Sequence, residues 1–243
     1  MHKASKLVFL ASFALSAMIL LSVRSAMAAP AAPAEKDKVL RRLDAAAANF
    51  HSTSADFQFD TYITDPIPDQ EIQKGTVYYE RTGKNFRMAA HIREDNKKPV
   101  EKVYTFSAGV FRLFEGGNLN QVTTFTQAGK FESYLMLGFG ASGKELEDKW
   151  EINYLGSETL LDGKTEIKTE MLELIAKDPA VRKNITKVTI WVDPVSGVNL
   201  KQVFDEGSGQ TRVAVYFNIK VNQPLPPDAF TFKTDSKTVR VNR

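Results

Sequence analysis

The stretch QTRVAVYFNIKVN, residues 210 to 222, decides the fold. Its side chains form two alternating rows. One row is Thr211, Val213, Val215, Phe217, Ile219 and Val221, and the other is Arg212, Ala214, Tyr216, Asn218 and Lys220. A period of two over this length indicates a long β-strand. The alternation alone leaves open which row faces the interior.

Ten further segments between residues 54 and 205 show the same period. They are SADFQFDTYIT, KGTVYYER, NFRMAAHIR, KVYTFS, GVFRLFE, QVTTFT, WEINYL, TEIKTEMLELIA, TKVTIWVD and VNLKQVFD. Short turns such as Arg81-Thr82-Gly83-Lys84 join them, so we expect hairpins and an antiparallel sheet. A sheet of about eleven strands must curl into a closed or partly closed barrel, whose interior is too wide for side chains alone to fill.

Two segments are candidates to plug this interior. The segment EKDKVLRRLDAAAANF, residues 35 to 50, has apolar residues at helical spacing and predicts an amphipathic helix. Ser142 and Glu145 form a capping-box pattern, which predicts a short helix from Gly143 to about Trp150. This helix belongs to the second candidate, residues 130 to 150, in which an apolar cluster precedes it: Tyr134, Leu135, Met136, Leu137 and Phe139.

Residues 1 to 28 have the pattern of a secretory signal peptide. A basic start is followed by the apolar run Leu7 to Val23 and by Ala26-Met27-Ala28, where we expect cleavage. An uncleaved membrane anchor is the alternative, because the run is long and Arg24 follows it. We expect residues 29 to 35 to be a disordered Ala/Pro leader and residues 36 to 243 to form one domain.

Charge and cysteine content restrict the function. Without Lys3, Lys6 and Arg24, the 32 basic residues fall to 29, which equals the number of acidic residues. A neutral mature chain gives no reason to expect a nucleic-acid partner. The chain has no cysteine, so its core rather than disulfides must hold the fold, and a bacterial lipid anchor on an N-terminal cysteine is excluded. We therefore expect an exported protein that diffuses freely in the compartment that receives it.

No set of residues predicts catalysis, and we expect no enzyme activity, metal or cofactor. Beyond residue 28 the histidines are His51 and His91, and the sequence has neither GxSxG nor HExxH. Residues 138 to 144 spell GxxxxGK, but the next residue is Glu145 rather than the Ser or Thr that a phosphate-binding loop needs for Mg²⁺. The sequence therefore offers no catalytic pair.

Several motifs, in order along the chain, resemble the LolA family of periplasmic outer-membrane lipoprotein carriers. After the helix and a Phe-rich strand come Gly75-Thr-Val-Tyr-Tyr-Glu-Arg81-Thr82 and then Phe86. They are followed by FSAGVFRLFEGGNLNQV at 106 to 122, WVDPVSG at 191 to 197 and FNIKVNQPLPPDAFTF at 217 to 232, where the family has a Pro-rich connection and a short Phe-x-Phe strand. Thr82 replaces the proline of the family's Lys-Arg-Pro, and Ala108 stands where the family has Asp.

The resemblance implies a fold that is mainly β: a single curved antiparallel sheet of about eleven strands. This incomplete β-barrel would be closed by the N-terminal helix and a short helical lid. The resemblance also implies an apolar cavity for lipoprotein acyl chains, an inner-membrane ABC-type lipoprotein-releasing complex as donor and an outer-membrane acceptor. Arg81 matches an arginine that holds the lid shut in the family; alternatively, being next to a turn, it points at solvent.

Inward rows of the predicted strands supply candidate cavity residues, although each could equally be plain core. They are Phe57, Phe59, Val77, Tyr79, Phe86, Met88, Phe111 and Leu113, with Tyr134, Leu135 and Leu137 from the lid. The leading functional hypothesis is a soluble periplasmic carrier of lipoproteins or another lipid. A lipid- or stress-sensing protein of the same fold that acts through a protein partner is the alternative. An envelope hydrolase is the third class, but the sequence lacks the nucleophile and the base that it would need.

Overall fold

A computed structural model describes residues 32–65, 67–83, 85–126, 137–207 and 209–243. Predictions about the signal peptide, and about Tyr134 and Leu135, lie outside these residues. The described chain contains twelve strands and three helices. The helices are α1 (Ala32–Ala48), α2 (Gly143–Lys149) and α3 (Pro179–Arg182). The strands are β1 (Ser52–Ile63), β2 (Asp69–Thr82), β3 (Asn85–Asp95), β4 (Lys98–Ser107), β5 (Val110–Glu115), β6 (Gln121–Phe125), β7 (Trp150–Asp162), β8 (Thr165–Ala176), β9 (Lys187–Asp193), β10 (Val198–Glu206), β11 (Gln210–Val221) and β12 (Val239–Asn242).

All twelve strands belong to one sheet, in the order β12-β6-β5-β4-β3-β2-β1-β11-β10-β9-β8-β7. Two antiparallel meanders, β1 to β6 and β7 to β11, are joined where β1 pairs with β11. The eleven strands predicted from alternation are β1 to β11. The mainly β fold with one large antiparallel sheet is confirmed, and the sheet is open, with β12 and β7 at its edges.

The sheet is strongly curved. Three strands separate β7 from β11, yet the Asp162 carboxylate at the end of β7 accepts hydrogen bonds from the backbone N–H of Asn218 (2.6 Å) and Ile219 (3.2 Å) in β11. Such a contact requires that the sheet curl back on itself, as a twisted sheet of many strands does. The concave side is therefore a hollow.

Two helices close one end of this hollow. In α1 the predicted apolar stripe is buried, with Val39, Leu40 and Leu43 each at most 4% exposed. α1 begins at Ala32, so residues 32 to 35 of the predicted leader are helical. Ser142 and Glu145 form the predicted capping box of α2, which packs against α1. The helix ends at Lys149, one residue before its predicted end.

The chain after β11 crosses the convex face of the sheet. We call residues 223–238 the C-terminal strap. Its Leu225, Ala229 and Phe230 pack on Tyr78 and Ala89, and its Phe232 packs on Val103, Phe114 and Val122. Residues 230–232, for which the family resemblance implies a short strand, are not in a strand. The strap instead leads to β12, which lies at one edge of the sheet and pairs with β6 in parallel. The four residues of β12 are too few for alternation to predict.

Candidate binding cavity

A cavity of about 290 Å³ lies on the concave side of the sheet, with mostly apolar walls. Seven of the predicted residues line it, namely Phe57, Phe59, Val77, Tyr79, Met88, Phe111 and Leu137. The lining also includes Gln73, Ala90, Ile92, Tyr104, Gln202, Phe204, Arg212 and Tyr216. Two surface grooves are larger, about 390 and 470 Å³, but polar residues such as Asn49 and Asn222, or His51 and Gln223, contribute to their walls.

Phe86 and Leu113 do not line this cavity. Phe86 is 5% exposed and lies in the same core, with its ring 5.9 Å from that of Tyr79. Leu113 is half-buried on β5, opposite Tyr104 of β4. Alternation correctly places both on interior-facing rows, but it does not reveal where along a row the hollow ends.

The cavity wall on β11 is formed by the row that contains Arg212, Ala214 and Tyr216. The more apolar row faces outward at this point, and Val215 is 41% exposed. Asn218 has a left-handed backbone (φ 54°), and the β1–β11 register shifts between Ser54 and Asp56. This bulge exchanges the two faces, so that Ile219 and Val221 pack on the interior core.

The roof of the cavity is a short segment that we call the plug, residues 137–141. Leu137 and Phe139 are each 1% exposed. The Phe139 ring stacks on Tyr79, with centroids 3.8 Å apart and planes at 9°, and meets the Tyr216 ring edge-on. Two of the side chains that the plug contacts also line the cavity. The plug therefore occupies the interior of the barrel as a ligand would.

Three hydrogen bonds hold the plug on the β9–β10 hairpin. The Gln202 amide donates to the Leu137 carbonyl (2.6 Å), the Asn199 N–H donates to the Gly138 carbonyl (2.7 Å), and the Gly140 N–H donates to the Gly197 carbonyl (3.1 Å). Gln202 also accepts from the Tyr216 hydroxyl (2.8 Å). One buried amide thus connects the plug to the wall of the cavity.

The glycines of the GxxxxGK pattern have packing roles. A Cβ on Gly138 would lie 1.7 Å from the Asn199 amide nitrogen, and one on Gly143 would lie 2.3 Å from the Leu40 carbonyl oxygen. Lys144, the lysine of the pattern, donates its backbone N–H to Asp44. The pattern therefore reflects close contacts of the plug with β10 and of α2 with α1.

The plug packs against one buried polar side chain, that of Asn199. Asn199 is 0% exposed, and neither its side-chain oxygen nor its nitrogen has a hydrogen-bond partner among the described residues. A buried polar group without a partner costs about 1–3 kcal/mol. This cost offsets part of the stabilisation from the packing of Leu137 and Phe139.

Arg81 lies at the helical end of the barrel, where it pairs with α2. Its two terminal nitrogens lie 3.2 to 3.3 Å from the carboxylate oxygens of Glu145, and its side chain is 15% exposed. The same carboxylate accepts from the Ser142 N–H in the capping box (2.9 Å). Arg81 therefore contacts the helix next to the plug through the Glu145 side chain.

Charged groups surround the other end of the cavity. Arg212 Nε lies 3.0 Å from Glu206 Oε1, with an alignment that does not make a hydrogen bond. Burial raises the pKa of Glu206, and the positive charge of Arg212 offsets part of this rise. Nearby, Gln73 donates to Glu71 (2.8 Å) and Asp95 (3.2 Å), and Lys102 donates to Asp95 (2.8 Å).

The histidines have structural contacts. The His91 ring nitrogen Nε2 lies 2.9 Å from the Ala229 carbonyl oxygen of the strap. The backbone N–H of His51 donates to the side-chain oxygen of Asn222. Within the described ranges no group of three or more His, Cys, Asp or Glu residues could hold a metal ion. No helix in that part of the chain is long and apolar enough to span a membrane.

No protein-family model matches the sequence, and no curated protein is significantly similar to it. The fold is similar to that of several solved structures. A DUF1329 family protein from Desulfovibrio piger is 12% identical, with 83% of this chain and 98% of that one covered and a TM-score of 0.47. A putative outer membrane lipoprotein-sorting protein domain from Vibrio parahaemolyticus is 12% identical (79% and 94% covered, TM-score 0.42).

A LolA superfamily protein from Nitrosomonas europaea is 16% identical, with 81% of this chain and 97% of that one covered and a TM-score of 0.40. The chain is thus similar to structures from the family that its sequence resembles. Because each TM-score is below 0.5, the function proposed for the chain rests on its own residues and its own cavity.

Proposed function

We propose that this protein is a periplasmic carrier that binds acyl chains of lipoproteins, or of another lipid, in the cavity inside its curved sheet. The observation that carries the proposal is the apolar cavity whose roof, the plug, belongs to the same chain. Each methylene removed from water contributes about 0.8 kcal/mol, so an acyl chain needs such a hollow to cross an aqueous compartment.

The size of the cavity indicates that loading involves the plug. At about 290 Å³ the closed cavity lies at the lower end of ligand pockets, which span roughly 300–1,000 Å³. A lipid with two or three chains needs more room. Moving Leu137 and Phe139 outward would extend the cavity along Tyr79 and Tyr216, and it would break the three hydrogen bonds described above between the plug and the β9–β10 hairpin.

The transport route is the part of the proposal that comes from the family resemblance. A carrier of this kind receives its cargo from an inner-membrane ABC-type releasing complex and delivers it to an outer-membrane acceptor. It acts as a monomer and performs no chemistry on the lipid, which agrees with the absence of a catalytic pattern in the sequence. The periplasmic location rests on the predicted signal peptide.

Native mass spectrometry of the gently purified protein, expressed from its full coding sequence in a bacterium with two membranes, tests the proposal. We expect bound acylated species, intact and with no hydrolysis product. Ala90 lines the cavity, so Ala90→Trp should fill it and abolish the bound lipid. Ala48→Trp adds the same side chain at the exposed end of α1 and should leave the bound lipid unchanged.

Three outcomes would contradict the carrier. Equal loss of lipid from both variants would mean that filling the cavity is not what removes the lipid. Hydrolysed lipid would indicate an enzyme. A wild-type protein that is empty and also takes up no added lipoprotein would exclude the carrier and favour the sensor that acts through a protein partner.

A further inference from the structure

One cationic side chain stands out in the apolar wall of the cavity. Among the described lining residues Arg212 alone carries a positive charge, and its side chain is 34% exposed. A residue that both lines a cavity and reaches solvent lies at the mouth. Because the β11 pleat places Arg212 in the same inward row as Ala214 and Tyr216, its direction toward the cavity is set by the strand.

The two amide side chains of the lining are already engaged. Gln202 donates to the plug and accepts from Tyr216, and Gln73 donates to Glu71 and Asp95. Lys102 donates to the same Asp95 carboxylate. Arg212 pairs with Glu206, and its Nε lies 3.0 Å from Glu206 Oε1 without hydrogen-bond alignment. A guanidinium has five N–H donors, so most of the donors of Arg212 remain for another group.

The Arg212–Glu206 pair contributes little to the stability of the fold. Two charges partly removed from water stabilise a fold only when their hydrogen bonds are well made, and this pair lacks that geometry. A planar guanidinium beside an apolar hollow is, in contrast, well suited to a carboxylate or phosphate, which it can bind with two parallel hydrogen bonds. This geometry is therefore better suited to binding an anionic ligand than to stabilising the fold.

We propose that Arg212 selects an anionic head group, a carboxylate or phosphate, on a single acyl chain that lies in the cavity, with Glu206 as a competitor that the ligand displaces. This inference rests on the proposed acyl-chain binding and adds the class of ligand. Among acyl ligands, one with a single chain requires the least enlargement of the cavity of about 290 Å³.

Equilibrium binding of three radiolabelled ligands with the same chain tests the inference: hexadecanoate, hexadecyl phosphate and hexadecanol. The full-length expressed protein should bind one or both anions about tenfold or more tightly than the alcohol, the range of a charge-assisted hydrogen bond. Hexadecanoate and the phosphate distinguish the two head-group chemistries. Arg212→Gln should remove this preference for the anions over hexadecanol.

Two further variants separate recognition from folding. Glu206→Gln removes the competing carboxylate and should raise anion affinity, a gain that a merely structural ion pair would not give. Arg93→Gln removes an exposed charge from β3 and should have no effect. Equal binding of all three ligands, or a loss of hexadecanol binding in Arg212→Gln equal to that of the anions, would overturn the inference alone. No binding of any ligand by the wild type would overturn the proposed function with it.

Discussion

Tyr79 and Phe139 stack face to face, with ring centroids 3.8 Å apart and planes at 9°. Tyr79 belongs to the wall of the cavity and Phe139 to its plug, and both are at most 4% exposed. An aromatic side chain of the plug thus fills the interior next to the cavity wall. Any ligand that enters along this wall must replace that contact.

Phe139→Ala should therefore weaken the fold and improve lipid binding at the same time. Removing a buried Phe side chain costs about 3–5 kcal/mol of unfolding free energy. The same change removes the group that competes with the ligand, so we expect faster uptake and several-fold tighter binding of hexadecanol. Urea unfolding and equilibrium binding measure the two effects.

Phe232→Ala is the matched control for that variant. The Phe232 ring stacks on Phe114 on the convex face, at 5.1 Å and 3°, and is only half-buried. Its loss should destabilise the protein to a smaller extent and leave binding unchanged. Equal changes in binding for the two variants would show that looser folding, and not the plug, governs uptake.

Gly143→Ala should separate the two helices that close the barrel. A Cβ at this position would lie 2.3 Å from the Leu40 carbonyl oxygen, and backbone atoms cannot move away as a flexible side chain can. Overpacking of this kind typically costs about 1–3 kcal/mol. At Gly116 the added Cβ meets only the Glu101 side chain, so Gly116→Ala should cost less, as urea unfolding can show.

Sequence alternation predicts the strands well because one face of nearly every strand is buried. Alternation does not identify the inward face of a strand whose more apolar row lies outside. Along β11 the row with more apolar residues lies outside, and the bulge at Asn218 then exchanges the faces. The side chains of a strand cannot indicate a bulge that depends on its neighbour, so the inward position of Arg212 follows only from the structure.

The cavity lining was predictable in part for a similar reason. The aromatic rows of β1, β2 and β3 identify Phe57, Tyr79 and Met88 from local pattern alone. Gln202 and Tyr216 come from strands that are distant in sequence, and they join the site because the plug bonds to one and packs on the other. Such long-range pairings have no local signature.

The Asp95–Lys102 pair should make stability depend on pH below about 4. Burial alone would raise the pKa of Asp95, but the hydrogen bond and charge of Lys102, with Gln73, outweigh it and lower that pKa. The stabilisation is therefore complete above the ordinary aspartate pKa of 3.8 and is lost as pH falls through the lowered value. Wild-type stability should fall more steeply than that of Asp95→Asn between pH 4 and 2.

Urea midpoints measured across that range provide the check. Glu94→Gln, which removes a carboxylate from the more exposed pair with Lys74, is the control and should change the slope less than Asp95→Asn does. Parallel curves for the wild type and Asp95→Asn would mean that the pair does not contribute in solution.

The Arg81–Glu145 pair should control how easily the helical end of the barrel opens. It is partly exposed, so its contribution to unfolding free energy is about 1 kcal/mol or less. Arg81→Leu and Glu145→Gln should each accelerate hexadecanol uptake severalfold, and the double variant should add nothing further. Arg87→Leu breaks a comparable pair with Glu80 that does not touch α2, and its uptake rate should match the wild type. Additive effects of the two single changes would show that the residues act separately.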